Sequence, residues 1–298
     1  MNMNMNMNET ILVTGATGTV GSEVVKQLSR VAPNYIIKAG IHSIENAQKV
    51  QQYDRVNPIQ IDYDKLKGLE TAFKGVDKLF LLTHPSPKTV EHESYLITEA
   101  KRSGVKHIVK QSIMRADPKA DVEAMRLHRQ TEIMIEESGI PYTFLRPNEF
   151  MQGFINFQGP TIKSNNAFYL PAEDAKVSFV DARDIAAIAV KALVDGDKHY
   201  NKIYVVTGPE ALSYHQAAEM LSNVTGKKID YVNISDEEAK GAMKEAGLDD
   251  WLVNTISDLY TLYRKGYASE VSSAVEEVTG RKATTFTQFA KDHADAFR

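Results

Sequence analysis

At 298 residues, with 43% hydrophobic and 25% charged content, the chain is long enough for one large domain or for one domain with a smaller appendage. The absence of cysteine excludes disulfides, thiol nucleophiles and zinc–thiolate sites, and it suits a cytoplasmic protein. A net charge of −4 without a basic stripe argues against a nucleic-acid partner, and no apolar run reaches the roughly 18 residues of a membrane span.

The opening Met-Asn repeat, residues 1–8, has no periodicity that buries a face, so a disordered tail is expected there. It carries no basic and apolar leader pattern, so no secretion signal is expected, and the sequons at Asn223 and Asn233 are taken as chance matches. Strands are then expected at Ile11–Thr14, Ile36–Ile41, Ile59–Ile61, Lys78–Leu82, His107–Lys110 and Tyr142–Leu145. Helices are expected between them near Ser22–Arg30, Asn46–Gln52, Lys65–Phe73, Glu91–Arg102 and Asp121–Glu137. This alternation implies βαβ units, and the near-continuous apolar character of the strands implies a parallel sheet covered on both faces.

After Pro147 the rhythm changes. Asn148 to Pro171 is rich in Asn, Gly, Pro and aromatics and is expected to form loops and short helices. Helices follow at Asp184–Val194, Tyr214–Val224, Asp236–Ala246, Trp251–Lys265 and Thr287–Ala296, with strands at Ile203–Val206 and Ile229–Val232. The fold class is α/β, a Rossmann-type doubly wound parallel sheet with a smaller mixed C-terminal lobe. The expected division is a dinucleotide-binding region over 9–150 and a substrate-side lobe over 151–298 that partly returns to the core.

The strongest motif is Thr14-Gly15-Ala16-Thr17-Gly18-Thr19-Val20-Gly21, which follows the first strand and opens the first helix. That context is what a dinucleotide site requires: Gly15 for the tight turn, Gly18 for approach of backbone to pyrophosphate, Gly21 for close helix–strand packing. Backbone N–H groups of Thr17, Thr19 and Val20, with the helix dipole, then face the phosphates. About 20 residues on, where NAD-binding sites carry a ribose-binding Asp or Glu, the chain reads Gly40-Ile41-His42-Ser43. No carboxylate stands at those positions, His42 and Ser43 offer hydrogen bonds, and Lys38 or Lys49 adds charge, so NADP(H) is favoured over NAD(H). The alternative is that His42 is an ordinary surface residue.

Ligands of open α/β sheets sit beyond the carboxyl ends of the strands. There the chain places Asp62-Tyr63, beside the adenine; Thr83-His84-Pro85, along the ribose; Ser112 and Met114; and Pro147-Asn148 with Phe150, Met151 and Phe154. The aromatic and methionine side chains suit a wall against a flat apolar substrate, or equally the core of the lobe. No His, Asp or Glu cluster has metal spacing.

The segments at 15–21, 75–82 and 100–109, with Ser138-Gly139-Ile140-Pro141-Tyr142-Thr143-Phe144-Leu145-Arg146-Pro147 and 224–229, together resemble the NmrA-like group of atypical short-chain dehydrogenases over nearly the whole chain after residue 8. In layout the chain is similar to NADPH-dependent quinone reductases and triphenylmethane dye reductases of that group. The resemblance implies hydride transfer from NADPH to a small flat electrophile, or, as the alternative, a non-catalytic redox sensor with a protein partner. The Tyr-x-x-x-Lys pair of the typical short-chain dehydrogenase is missing after the fifth strand. His128 and Glu132, at i and i+4 of a helix, stand in its place. His128 is the candidate to touch the nicotinamide ribose or a substrate oxygen, with a structural His–Glu pair as the alternative. Ser112 occupies the position where the typical family polarises a carbonyl. Asp181 is read as an N-cap for the helix that follows. The partners expected are therefore a small molecule and no membrane, with the oligomeric state open.

Overall fold

The computed structural model describes residues 9–65 and 68–298, so the disordered tail expected over 1–8 lies outside the described residues. In chain order the elements are β1 (Glu9–Val13), α1 (Thr19–Val31), β2 (Tyr35–Ile41), α2 (Gln48–Gln51), β3 (Val56–Gln60), α3 (Leu69–Phe73), β4 (Lys78–Leu81), α4 (Thr89–Arg102), β5 (His107–Gln111), α5 (Glu123–Ser138) and β6 (Tyr142–Pro147). They continue with α6 (Gly159–Asn165), β7 (Ala167–Leu170), β8 (Lys176–Val177), α7 (Ala182–Asp195), β9 (Lys202–Val206), β10 (Leu212–Ser213), α8 (Tyr214–Thr225), β11 (Asp230–Asn233), α9 (Asp236–Glu245), α10 (Asp250–Arg264), α11 (Ala274–Thr279) and α12 (Phe286–Asp292).

These elements form two compact units. The first takes the described residues up to Pro118, Arg126–Arg146 and Ile185–Tyr204; the second takes Lys119–Met125, Pro147–Asp184 and Val205–Arg298.

The first unit is built on a seven-stranded sheet in the order β3-β2-β1-β4-β5-β6-β9. The pairs from β3 through to β6 are all parallel, with Val13 opposite both Ala39 and Phe80, and Lys110 opposite both Leu81 and Phe144. Ile11, Leu12 and Val13 of β1, and Leu79, Phe80 and Leu81 of β4, are fully buried, as strands covered by helices on both faces must be. From β1 the chain winds outward to β2 and β3, then returns across the sheet to β4. Strand order reverses between β1 and β4, and that reversal opens a crevice at their carboxyl ends. The two ends are tied by Thr14, whose hydroxyl donates to the Leu82 carbonyl at 2.9 Å and accepts the Leu82 N–H at 2.8 Å.

The second unit pairs β11 with β7 in parallel and β10 with β8 antiparallel. Its core is aromatic: the Phe154 ring meets those of Phe168, Phe179 and Phe286 at centroid distances of 5.5, 5.3 and 4.9 Å in edge-to-face arrangements. Within the stretch expected to be loops and short helices, residues 154–158 form a π-helix, α6 follows, and β7 is a strand. Asp181 does cap α7, its carboxylate accepting from the Arg183 N–H at 2.8 Å.

Candidate dinucleotide and hydride-transfer site

The glycine turn sits at the mouth of the β1/β4 crevice. Gly15 has φ +62°, a conformation L side chains rarely adopt. A Cβ on Gly21 would lie 2.1 Å from the Gly15 carbonyl oxygen and 2.7 Å from its carbon, so no side chain fits there without displacing the loop. Gly18, exposed, is the N-cap of α1; no side chain caps the helix and its first turn holds no acidic residue. The first N–H groups of α1, at Thr19, Val20 and Gly21, thus open on a cradle with positive polarity and no bulk, which fits the pyrophosphate of a dinucleotide.

His42, just past β2, and Lys49, in α2, are exposed. Ser43 is engaged locally: it accepts from the Asn46 amide at 3.1 Å and donates to the Glu45 carboxylate. Its own backbone N–H first, then the Ser43 hydroxyl, hold the Glu45 carboxyl below its ordinary value. Lys38, expected to add charge there, is engaged elsewhere: its ammonium donates to the Ala72 and Lys74 carbonyls at 3.1 and 2.6 Å, so it does not serve a phosphate beside His42. Beyond β3, Asp62 pairs with Lys65 at 2.8 Å. Tyr63 reaches the glycine turn itself, with its hydroxyl on the Gly15 N–H and the Thr14 side chain. Burial outweighs those hydrogen bonds and pushes the phenol up to about 12.

Past β4 and along β5, side chains of α4 and α5 form a connected polar cluster. Lys110 of β5 and Glu93 of α4 are fully buried and paired at 2.5 Å. The other Glu93 oxygen accepts from the Thr83 hydroxyl at 3.1 Å. The Lys110 ammonium also lies 3.3 Å from His128 Nδ1 and 3.4 Å from the Gln111 carbonyl. Burial, then the Lys110 charge, holds His128 well below the ordinary imidazole value. The i,i+4 spacing of His128 and Glu132 does not make a pair, because Glu132 is bound by Arg146 at 2.9 Å and by Arg129 at 3.0 Å. Ser112 is buried beside this cluster in sequence, and its hydroxyl, like Gln111 Oε1, has no hydrogen-bond partner among the described residues. A buried polar atom without a protein partner is costly, and a water or a ligand is what can supply the missing bond. Met114 is buried, while His84 and Pro85 are exposed. Sequence reasoning missed Glu93 and Lys110. The available signal was a lysine inside an otherwise apolar parallel strand.

In the second unit, Met151 and Phe154 belong to the aromatic core at 1% and 2% exposure, which replaces the substrate wall expected of them. Phe150 is half-buried and Pro147 buried. The Asn148 amide is occupied by Ser178 Oγ and the Ala268 carbonyl, at 2.8 and 2.7 Å. A cavity of about 370 Å³, lined by Glu173, Lys176, Tyr263 and Arg264 among others, contains none of the expected site residues. Among the described residues, no three His, Asp or Glu side chains are placed to hold a metal ion. Nor is any helix long and apolar enough to cross a membrane.

A doubly wound parallel sheet whose first strand ends in a bare glycine turn at the switch point defines a nucleotide-binding protein of the Rossmann class. More closely, the chain belongs to the NmrA-like family, whose model matches residues 7–291. It is 39% identical over 287 residues to an NAD(P)H azoreductase of Xenophilus azovorans, covering 96% of this chain and 99% of that one. Two solved structures superpose with a TM-score of 0.84 at 28% identity, each covering 95% of this chain and 99% of the other. They are the NADPH-dependent quinone oxidoreductase of Escherichia coli complexed with NADPH, and the triphenylmethane reductase of a Citrobacter species complexed with NADP(H).

Proposed function

We propose that this chain is an NADPH-dependent oxidoreductase that transfers hydride to a small flat electrophile such as a quinone, an azo dye or a triphenylmethane dye. The observation that carries the reading is the glycine turn at the switch point, where a Cβ on Gly21 would collide with Gly15 at 2.1 Å. The acceptor class follows from relatives matched over nearly their full length, an azoreductase, a quinone oxidoreductase and a dye reductase.

Gly15, Thr17, Gly18, Thr19, Val20 and Gly21 hold the pyrophosphate, and His42 and Lys49 face the 2′-phosphate. When bound, NADPH supplies the hydride. The residues of the chain orient the acceptor and stabilise charge that develops on it, the parts assigned to His128 and Ser112. Hydride transfer to such an acceptor depends mainly on orientation, and the proton that completes reduction of a quinone or azo group comes from solvent, which accommodates the missing Tyr–Lys pair. Its partner is thus a small molecule.

Purified protein is mixed with NADPH and a panel of quinones, azo dyes and triphenylmethane dyes, and cofactor oxidation is followed. The expected result is turnover with at least one class and a clear preference for NADPH over NADH. Tight NADPH binding with no acceptor reduced would overturn the enzymatic reading in favour of a sensor.

A further inference from the structure

Every residue of β5 is buried, yet its fourth position is a lysine. A lysine in such a place requires full compensation of its charge and of its three N–H donors. Lys110 has three partners: Glu93 at 2.5 Å, the Gln111 carbonyl at 3.4 Å and His128 Nδ1 at 3.3 Å. The first two neutralise the charge and satisfy donors in the ordinary way. The third is informative, because an ammonium offers no lone pair. Nδ1 of His128 must therefore be the acceptor, and it carries no proton. The ring proton sits on Nε2, which has no partner among the described residues.

We propose that Lys110 is a positioning residue that locks His128 in the Nε2–H tautomer, so that the imidazole presents a fixed hydrogen-bond donor to the hydride acceptor. The identity of that acceptor rests on the function proposed above; the tautomer does not. Glu93 of α4 anchors Lys110 from behind, and Thr83 anchors Glu93 at 3.1 Å. The charged group facing the ring is Lys110, from β5; on α5 itself, Glu132 is taken up by Arg129 and Arg146. With no carboxylate against it and an ammonium 3.3 Å away, the ring stays neutral through the physiological range. Hydride addition to a quinone or azo group leaves negative charge on an oxygen or nitrogen. A neutral N–H donor already in place stabilises that charge without depending on solvent pH.

The test is imidazole NMR on full-length protein carrying isotope-labelled histidine, without cofactor or substrate, with His128 assigned from the signals lost in H128N. The expected result is the Nε2–H pattern with no titration from about pH 5.5 to about pH 8.5. In K110M/E93Q, which removes the donor without stranding a charge, the ring is expected to show mixed tautomers and to titrate closer to 6.5. K110Q/E93Q, which returns an amide donor, is expected to restore the Nε2–H pattern. An Nδ1–H pattern or a titrating ring in the unmodified protein would overturn the proposal, even if neither double variant folds. An unchanged tautomer in K110M/E93Q would overturn it too. With an active acceptor, kcat/KM is expected to be flat over that pH range, and to fall roughly tenfold or more and become pH-dependent in K110M/E93Q. If no acceptor is reduced, the function proposed above fails while the NMR still decides the tautomer.

Discussion

Four helices of the second unit close their own N-termini, whereas α1 of the first does not. Ser213, Ser235, Asp249 and Thr285 accept the backbone N–H of Gln216, Glu238, Leu252 and Gln288 at 3.2, 3.2, 2.9 and 3.1 Å. α1 starts from Gly18 with nothing to accept. Side-chain capping satisfies donors that water or a ligand otherwise takes, so the uncapped start of α1, joined to the glycine turn, leaves its first N–H groups open to one. Both units pair buried charges with opposite ones, and each also holds an ionisable group without such a pair. The first pairs them, as Lys110 with Glu93, or keeps them neutral, as with His107, which burial drives down to about 4. The second likewise pairs its buried Asp181 and Asp184, with Arg183 and Arg281, but Glu149 has no cation partner among the described residues. Its carboxylate accepts from the Tyr214 hydroxyl at 2.8 Å, but burial still raises it to about 7. A buried ionisable group without an opposite charge is pushed toward its neutral form.

Unpairing the first unit's buried charge costs the most. Lys110→Met leaves Glu93 buried alone and is expected to cost about 3–5 kcal/mol in urea unfolding, with E93Q in the same chain recovering more than half of it. Equal stability of the single and double variants would show that the pair is not coupled.

Next in size are two opposed pH slopes. His107 is depressed from 6.5 to about 4, so its contribution to stability is full above 6.5 and is lost as pH falls through about 4. Glu149 is raised from 4.5 to about 7, so its contribution is full below 4.5 and is lost as pH rises through about 7. Each is worth at most about 1.4 kcal/mol per pH unit, and between the two ordinary values they oppose one another. E149Q is therefore expected to gain stability with rising pH across that window, and H107Q to lose it. Thermal melts at several pH values read both slopes, and parallel curves for the two variants would contradict the assignment. The smallest effect is at a cap: Ser235→Ala removes the α9 capping box and is expected to cost about 1 kcal/mol.

Much of the first unit was legible because buried parallel strands are written as apolar runs; each expected strand from β1 to β6 overlaps the observed one. The second unit was less so. β8 and β10 are two residues long, too short for a period of two to show. Met151 and Phe154 read equally well as a substrate wall or as core, and only packing distinguishes the two. At the site, the glycine turn declared itself because its constraint is local. The Glu93–Lys110–His128 chain joins residues that are 17 and 18 positions apart on three elements, so spacing along one helix pointed instead to Glu132.

Whether the first unit's glycine turn holds NADPH is read by calorimetric titration of NADPH into the unmodified chain and into Gly21→Ala. Tight binding that weakens tenfold or more in the variant, about 1.4 kcal/mol, is the predicted result. Equal affinity in both proteins, or no binding in either, would contradict it.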